Sequence, residues 1–191
     1  AGATWAAVPN VIHKSVAADT DGDGIDEIIN AVFDRADNTL TIREYKKATD
    51  GDAFASTEVY TVTDDSITTD NINAERCSLD AGDIDGDGKS ELLMTWNDTL
   101  RILDDADESY DVLLTRQYEP IRAGGHQYLR VRVGNLDLDS ATEIVVANGT
   151  DVHNDMSHIY NAQFYVYDDI KADPALENPI ASGDLTPDDP G

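Results

Sequence analysis

The sequence predicts an all-β protein built from repeated units of four short strands, and three observations carry that reading. A short acidic loop occurs three times, each copy runs straight into an apolar stretch, and no long segment places its apolar residues at the helical period. The copies are Asp19-Thr20-Asp21-Gly22-Asp23-Gly24-Ile25-Asp26-Glu27, Asp83-Ile84-Asp85-Gly86-Asp87-Gly88-Lys89-Ser90-Glu91 and Asn135-Leu136-Asp137-Leu138-Asp139-Ser140-Ala141-Thr142-Glu143.

The first unit, residues 11–65, follows the Pro9-Asn10 turn signal with strand material at 11–12 and 16–18 before its loop. Residues 28–33 then read as a strand, 34–38 as a turn, 40–45 as an alternating strand and 58–62 as another. The second unit, 75–120, repeats the order, with strands at 77–79, 92–96, 100–103 and 110–114 and the turn Asn97-Asp98. The third, 127–180, has strands at 129–133, 144–147 and 163–167, with residues 148–161 expected as an inserted loop. Residues 181–191 begin Ala181-Ser182-Gly183-Asp184, like Ala81-Gly82-Asp83, and are expected to be either the start of a fourth loop or a tail.

The first places of the loops, Asp19, Asp83 and Asn135, recur at intervals of 64 and 52 residues, room for one four-stranded sheet and little more. Such a sheet cannot hide both faces alone, and stacking radially as β-propeller blades is the usual solution. The whole chain, 1–191, therefore reads as one repeat region. Three blades are too few to close a ring, so exposed sheet edges are expected, and edges in natural proteins are paired or covered. Protein partners or further copies of the chain are the expected covers, giving a route to a filament.

The loops carry the chemistry. Carboxylates at the first, third, fifth and ninth places converge on a common centre, alternating with residues small enough for a tight bend. They would repel one another without a cation between them, and Ca2+ takes about six to eight oxygens at flexible geometry. An EF-hand needs an acid at the twelfth place and flanking helices. Here the twelfth places are Asn30, Met94 and Val146, inside apolar or β-branched runs, which excludes it.

The sequence Gly82-Asp83-Ile84-Asp85-Gly86-Asp87-Gly88, followed by an acid and an apolar triplet, resembles the FG-GAP or VCBS repeats of integrin α-subunit propellers and bacterial surface proteins. The resemblance implies Ca2+ ligation by Asp19, Asp21, Asp23 and Glu27, and by Asp83, Asp85, Asp87 and Glu91, with Ile25 and Lys89 contributing backbone carbonyls. It extends to Asn135, Asp137, Asp139, Glu143 and the Ala141 carbonyl as a weaker third site, because Asn135 replaces an acid and Ser140 a glycine. The ninth place is Glu in all three, where integrin loops usually carry Asp.

Composition bounds the partners. With 39 acidic and 13 basic residues the net charge is −26, and three bound divalent ions leave it at −20. A nucleic-acid backbone would be repelled. No apolar run is long enough for membrane insertion. Cys77 is the only cysteine, which rules out an intrachain disulfide and reads as a small core residue. The chain begins at Ala1 without an initiator methionine, read as removal of a signal segment or as a fragment. Loops of this kind suit the calcium level outside cells, so an extracellular, secreted or cell-surface location is expected.

Catalysis has less support. Residues 151–158 hold His153, His158, Asp151 and Asp155, ingredients of a transition-metal or acid/base site that are also common in plain surface loops. Asn97-Asp98-Thr99 and Asn148-Gly149-Thr150 are N-glycosylation sequons expected at strand-to-turn positions. Trp96, Tyr160, Tyr165 and Tyr167 could stack on sugars, although aromatics in an all-β core more often pack. The expected function is a calcium-binding extracellular structural or adhesion module; the alternative is a carbohydrate-binding or polysaccharide-cleaving propeller protein acting on glycans.

Overall fold

The computed structural model describes residues 11–47, 53–67, 76–105, 109–121, 126–136, 142–154, 157–168, 170–171 and 173–184, with the backbone alone for 126, 151–154 and 157–160. Twelve strands and no helix occur among the described residues. The strands are β1 (Val11–Ala18), β2 (Glu27–Asp34), β3 (Thr39–Lys46), β4 (Ala55–Thr63), β5 (Cys77–Gly82), β6 (Glu91–Trp96), β7 (Thr99–Leu103), β8 (Val112–Gln117), β9 (His126–Gly134), β10 (Glu143–Asn154), β11 (Ser157–Tyr167) and β12 (Ala181–Asp184). They form three four-stranded antiparallel sheets, each a simple meander in chain order.

Each acidic loop joins the first two strands of its sheet at the same register. The pairs that close the loops are Ala18 with Glu27, Gly82 with Glu91, and Gly134 with Glu143. Turn chemistry fits the next connections. Asn97 takes a φ of 50° in the two-residue turn between β6 and β7, where an Asn is tolerated in the left-handed region. Asp34 Oδ1 accepts the Ala36 amide at 2.9 Å, an Asx turn at the end of β2.

Side-chain alternation shows how the sheets sit. On β2, buried positions alternate with more exposed ones, as on a strand with one covered face, whereas all six residues of β6 are buried. The second sheet is therefore the middle layer. One apolar core joins Ile29, Ala31, Phe33, Leu40 and Ile42 of the first sheet to Cys77, Leu92, Met94 and Trp96 of the second. Another joins Leu93, Leu100 and Ile102 of the second to Leu129, Val131, Ile144 and Val146 of the third. Fully burying each large aliphatic or aromatic side chain contributes about 1.5–3 kcal/mol, so these two cores are what hold the layers together.

Polar contacts then fix the offset between layers. Ser90 donates its amide to the Asp19 carbonyl at 2.9 Å, and Thr142 donates to the Asp83 carbonyl at 2.8 Å. In both cases the eighth place of one loop meets the first place of the preceding loop. The open side of β9 is met by side chains of β5: Val131 N donates to Ser78 Oγ and Val133 N to Asp80 Oδ2.

Three expectations are corrected. Residues 148–161 are not a loop inserted between strands: β10 and β11 stay paired out to Asn154 and Ser157, with His153 opposite His158, so the segment is a hairpin extension. Ala181–Asp184 belongs to the third unit, beyond the expected boundary at residue 180: it pairs with Gln163–Val166 as the outermost strand of the third sheet, the position β4 and β8 hold in theirs. Residues 185–191 lie outside the described ones. The stretches 11–12 and 16–18 form one continuous strand, because β1 pairs with β2 along its whole length.

Candidate metal centre

The first two loops fold on their own carboxylates in the same way. Asp19 Oδ1 accepts the amides of Gly22 (2.7 Å) and Asp23 (3.2 Å), and its Oδ2 accepts that of Gly24 (2.8 Å). Asp83 does the same with Gly86 (2.7 Å), Asp87 (3.0 Å) and Gly88 (2.9 Å). Asp21 and Asp85 each hold the amide two residues on, and so do Asp23 and Asp87, at 2.8–3.2 Å. The bend demands positive φ at Gly22, Gly24, Gly86 and Gly88, between 74° and 95°, which is where glycine carries no steric penalty.

The ninth-place glutamate closes each loop. Glu27 Oε2 accepts the Thr20 amide at 3.2 Å, Glu91 Oε2 the Ile84 amide at 2.9 Å, and Glu143 Oε2 the Leu136 amide. Each glutamate thus uses one oxygen on the second-place amide, and in Glu91 and Glu143 the other oxygen takes no hydrogen bond.

Asp19, Asp21 and Glu27 bring one carboxylate oxygen each within 4.8 Å of one another, and Asp83, Asp85 and Glu91 do likewise. These two clusters could hold a metal ion. A third such cluster, Asp87, Glu91 and Asp105, shares Glu91 with the second. Asp105 stands just beyond β7, outside every loop, and so escaped a reading based on loop spacing; the pair Asp104-Asp105 at a strand end was the available signal.

The electrostatics favour a cation. Glu91 and Glu143 are each 1% exposed, and each buries its Oε1 without a hydrogen-bond partner. An unsatisfied buried carboxylate oxygen is costly, and a divalent ion removes that cost. Burial, with the charges of Asp85, Asp83 and Asp87 beside it, pushes the Glu91 carboxyl up to about 8. Burial also raises Glu27 and Asp104 above their ordinary range. Asp21 is held below its own by the hydrogen bond from Lys46.

Asp23, Asp87, Ile25 and Lys89 line the same two bends; the Ile25 and Lys89 amides are held by Asp23 and Asp87. Asn135 and Glu143 stand at the corresponding ends of the third loop, and Asp137, Asp139 and Ala141 lie outside the described residues.

The two sequon asparagines differ in exposure: Asn148 is buried and Asn97 half-buried. Asn148 is 1% exposed on β10, with its Nδ2 donating to the Glu119 carbonyl at 3.1 Å, and Asn97 Nδ2 donates to the Ser66 carbonyl at 3.1 Å. Asn97 holds the expected strand-to-turn place between β6 and β7, whereas Asn148 lies within β10 and not at a turn. Of the four aromatics that could stack on sugars, two are core residues, Tyr165 is half-buried and the side chain of Tyr160 lies outside the described residues. Trp96 is fully buried, with Nε1 on Ser66 Oγ at 3.1 Å, and Tyr167 is buried with its hydroxyl on that of Tyr118. Cys77 is a buried core residue whose thiol is pushed up to about 12 by burial.

Fold and site together define a class: layered antiparallel sheets in which the first hairpins of the first two carry acidic clusters that could hold a metal ion. No family model matches the chain, and neither a curated protein nor a solved structure matches it.

Proposed function

We propose that the chain is a calcium-stabilised module of propeller-type blades, akin to the FG-GAP or VCBS repeats, that serves outside the cell as a structural or adhesion element. The observation that carries this reading is the pair of orphaned oxygens, Glu91 Oε1 and Glu143 Oε1, buried at the same place of two repeated loops. Calcium suits the donors better than a softer metal: they are hard oxygens, with no histidine or cysteine among them.

The bound ion acts as a staple at the end of each sheet, where β1 meets β2, β5 meets β6 and β9 meets β10. Loop-to-loop hydrogen bonds then pass that rigidity from one sheet to the next. The three sheets repeat one strand order and stack through apolar faces built from several strands of each, which supports reading them as neighbouring blades. The outer faces of the first and third layers are the surfaces left for protein partners or further copies.

Calorimetric titration of the chelator-stripped protein tests the reading. Saturable calcium binding with an enthalpy that disappears in the double variant Asp85→Asn, Asp87→Asn at one site supports it; an isotherm identical to buffer dilution overturns it. Light scattering with and without chelator tests the assembly role separately.

A further inference from the structure

The first two loops share a backbone but not what stands beside them. Ile28 pairs with Tyr45, Leu92 with Leu103 and Ile144 with Tyr167, so the residues that follow, Lys46, Asp104 and Asp168, occupy one structural position. The chain continues as Lys46-Lys47 in the first unit and Asp104-Asp105 in the second. Opposite charges therefore close equivalent sites.

In the first loop the Lys46 ammonium reaches inward. Its Nζ lies 2.6 Å from Asp21 Oδ2 and 3.9 Å from Glu27 Oε2, two of the three acids that form the cluster, and 3.7 Å from Glu44 Oε1. Lysine is a compact point charge on a flexible stem, and Lys46 at the end of β3 is placed so that its ammonium can neutralise these acids.

The second loop is arranged otherwise. Asp105, 2% exposed, adds a carboxylate to Asp87 and Glu91. Lysines do approach: Lys171 Nζ is 3.1 Å from Asp85 Oδ2, and Lys89 Nζ is 3.8 Å from Asp105 Oδ2 and 4.0 Å from Asp87 Oδ2. Glu91 Oε1 still has no hydrogen-bond partner. Asp168, the third unit's counterpart of Lys46, likewise buries an unpartnered Oδ1.

We propose that Lys46 is a tethered cation for the first loop, so that this loop keeps its shape without a divalent ion and binds one weakly, while the second loop, supplemented by Asp105, binds one tightly. The proposal rests on the reading of the loops as calcium sites, and it ranks them. The first and second loops carry the same acids at their first five places, yet the first is thereby the less metal-dependent of the two.

Glycine amides report each loop separately, because Gly22 and Gly24 donate to Asp19 and Gly86 and Gly88 to Asp83. Calcium chloride titrated into the isotopically labelled, chelator-stripped chain should move the Gly86 and Gly88 resonances first. Those of Gly22 and Gly24 should need at least tenfold more calcium. In Lys46→Met the two pairs should titrate together, and Lys46→Arg should keep the wild-type order. The proposal is overturned if the wild-type pairs titrate together, or if Lys46→Met leaves the gap intact. Should Gly86 and Gly88 fail to respond to calcium at all, the calcium reading itself is lost, an outcome distinct from a misassigned lysine.

Discussion

A methyl group built on Gly82 would lie 2.6 Å from Cγ1 of Val133, whereas one built on Gly134, the same place in the next unit, would meet nothing within 4 Å. Gly82 lets the second sheet approach the third where the acidic loop begins. No positive φ is involved at either residue, so the comparison isolates space from backbone strain.

Gly82→Ala should lower stability by about 1–3 kcal/mol, the usual range for overpacking a tight contact. Gly134→Ala should be neutral or raise it by up to about 1 kcal/mol, since alanine orders a strand at less entropic cost. Thermal melts of both variants under one condition decide the matter. Equal losses would mean that the second and third sheets do not meet at Gly82.

Calcium removal gives the second expectation. Extracellular calcium modules bind with dissociation constants of about 0.1–1 mM, and at ten times that concentration each site adds roughly 1.4 kcal/mol. Adding chelator should therefore lower the melting temperature by about 3–6 °C per filled site for a chain of this size. Asp85→Asn keeps an acceptor for the Asp87 amide while removing the charge, so it should melt lower than wild type in calcium and alike in chelator.

These two expectations bear differently on what was legible in the residues. Repeat number, strand order and loop positions follow from local signals: alternation along 40–45, the Asn97-Asp98 turn, an acid at every second place. Inter-layer facts leave no such trace. The Val133 contact at Gly82, the capping of β9 by Ser78 and Asp80, and the arrival of Lys46 and Asp105 at neighbouring loops depend on which strands become adjacent. Composition also misled at the ends. Ser182-Gly183-Asp184 has the letters of a loop entry, yet Gly183 sits under the Phe164 ring, where a Cβ would come within 2.5 Å of Cε1, as a partner in an outer strand. The place of Asn148 was hidden for the same reason: it is central in a strand whose covered face the triplet does not reveal.

The pH response follows from Glu91. In chelator its folded value, about 8, stands above the ordinary 4.5, so its contribution to folding is complete below about pH 4.5 and is lost as pH rises through 8. Denaturation in urea with chelator should give a more stable protein at pH 6 than at pH 8.5, by at most about 1.4 kcal/mol per pH unit from this group. Glu27 and Asp104, also raised, act in the same direction. Glu91→Gln should flatten the profile. With saturating calcium the ionised carboxylate is the bound form, and the slope from this site should reverse.

Tyr110 tests the polar wiring between the first two layers. Its hydroxyl, carried between β7 and β8, donates to Glu44 Oε1 at 2.6 Å and lies 3.1 Å from Thr20 Oγ1, which itself holds Glu44 at 3.0 Å and Glu27 at 3.1 Å. The equivalents of Thr20 and Glu44 in the second unit are Ile84 and Ile102, both fully buried, so only the first loop rests on a polar floor among these two. Tyr110→Phe leaves the ring packed but strips Glu44 of a short, charge-assisted donor, and a hydrogen bond of that kind contributes about 1.5–3 kcal/mol. The loss should appear in both calcium and chelator, because the donor serves Glu44 and not the loop's carboxylate cluster. Restoring apolar character with the double change Tyr110→Phe, Glu44→Ile should recover part of it, as replacing both partners removes the stranded charge. A single variant that unfolds at the wild-type urea midpoint would show that the Tyr110 hydroxyl carries none of the coupling between the layers.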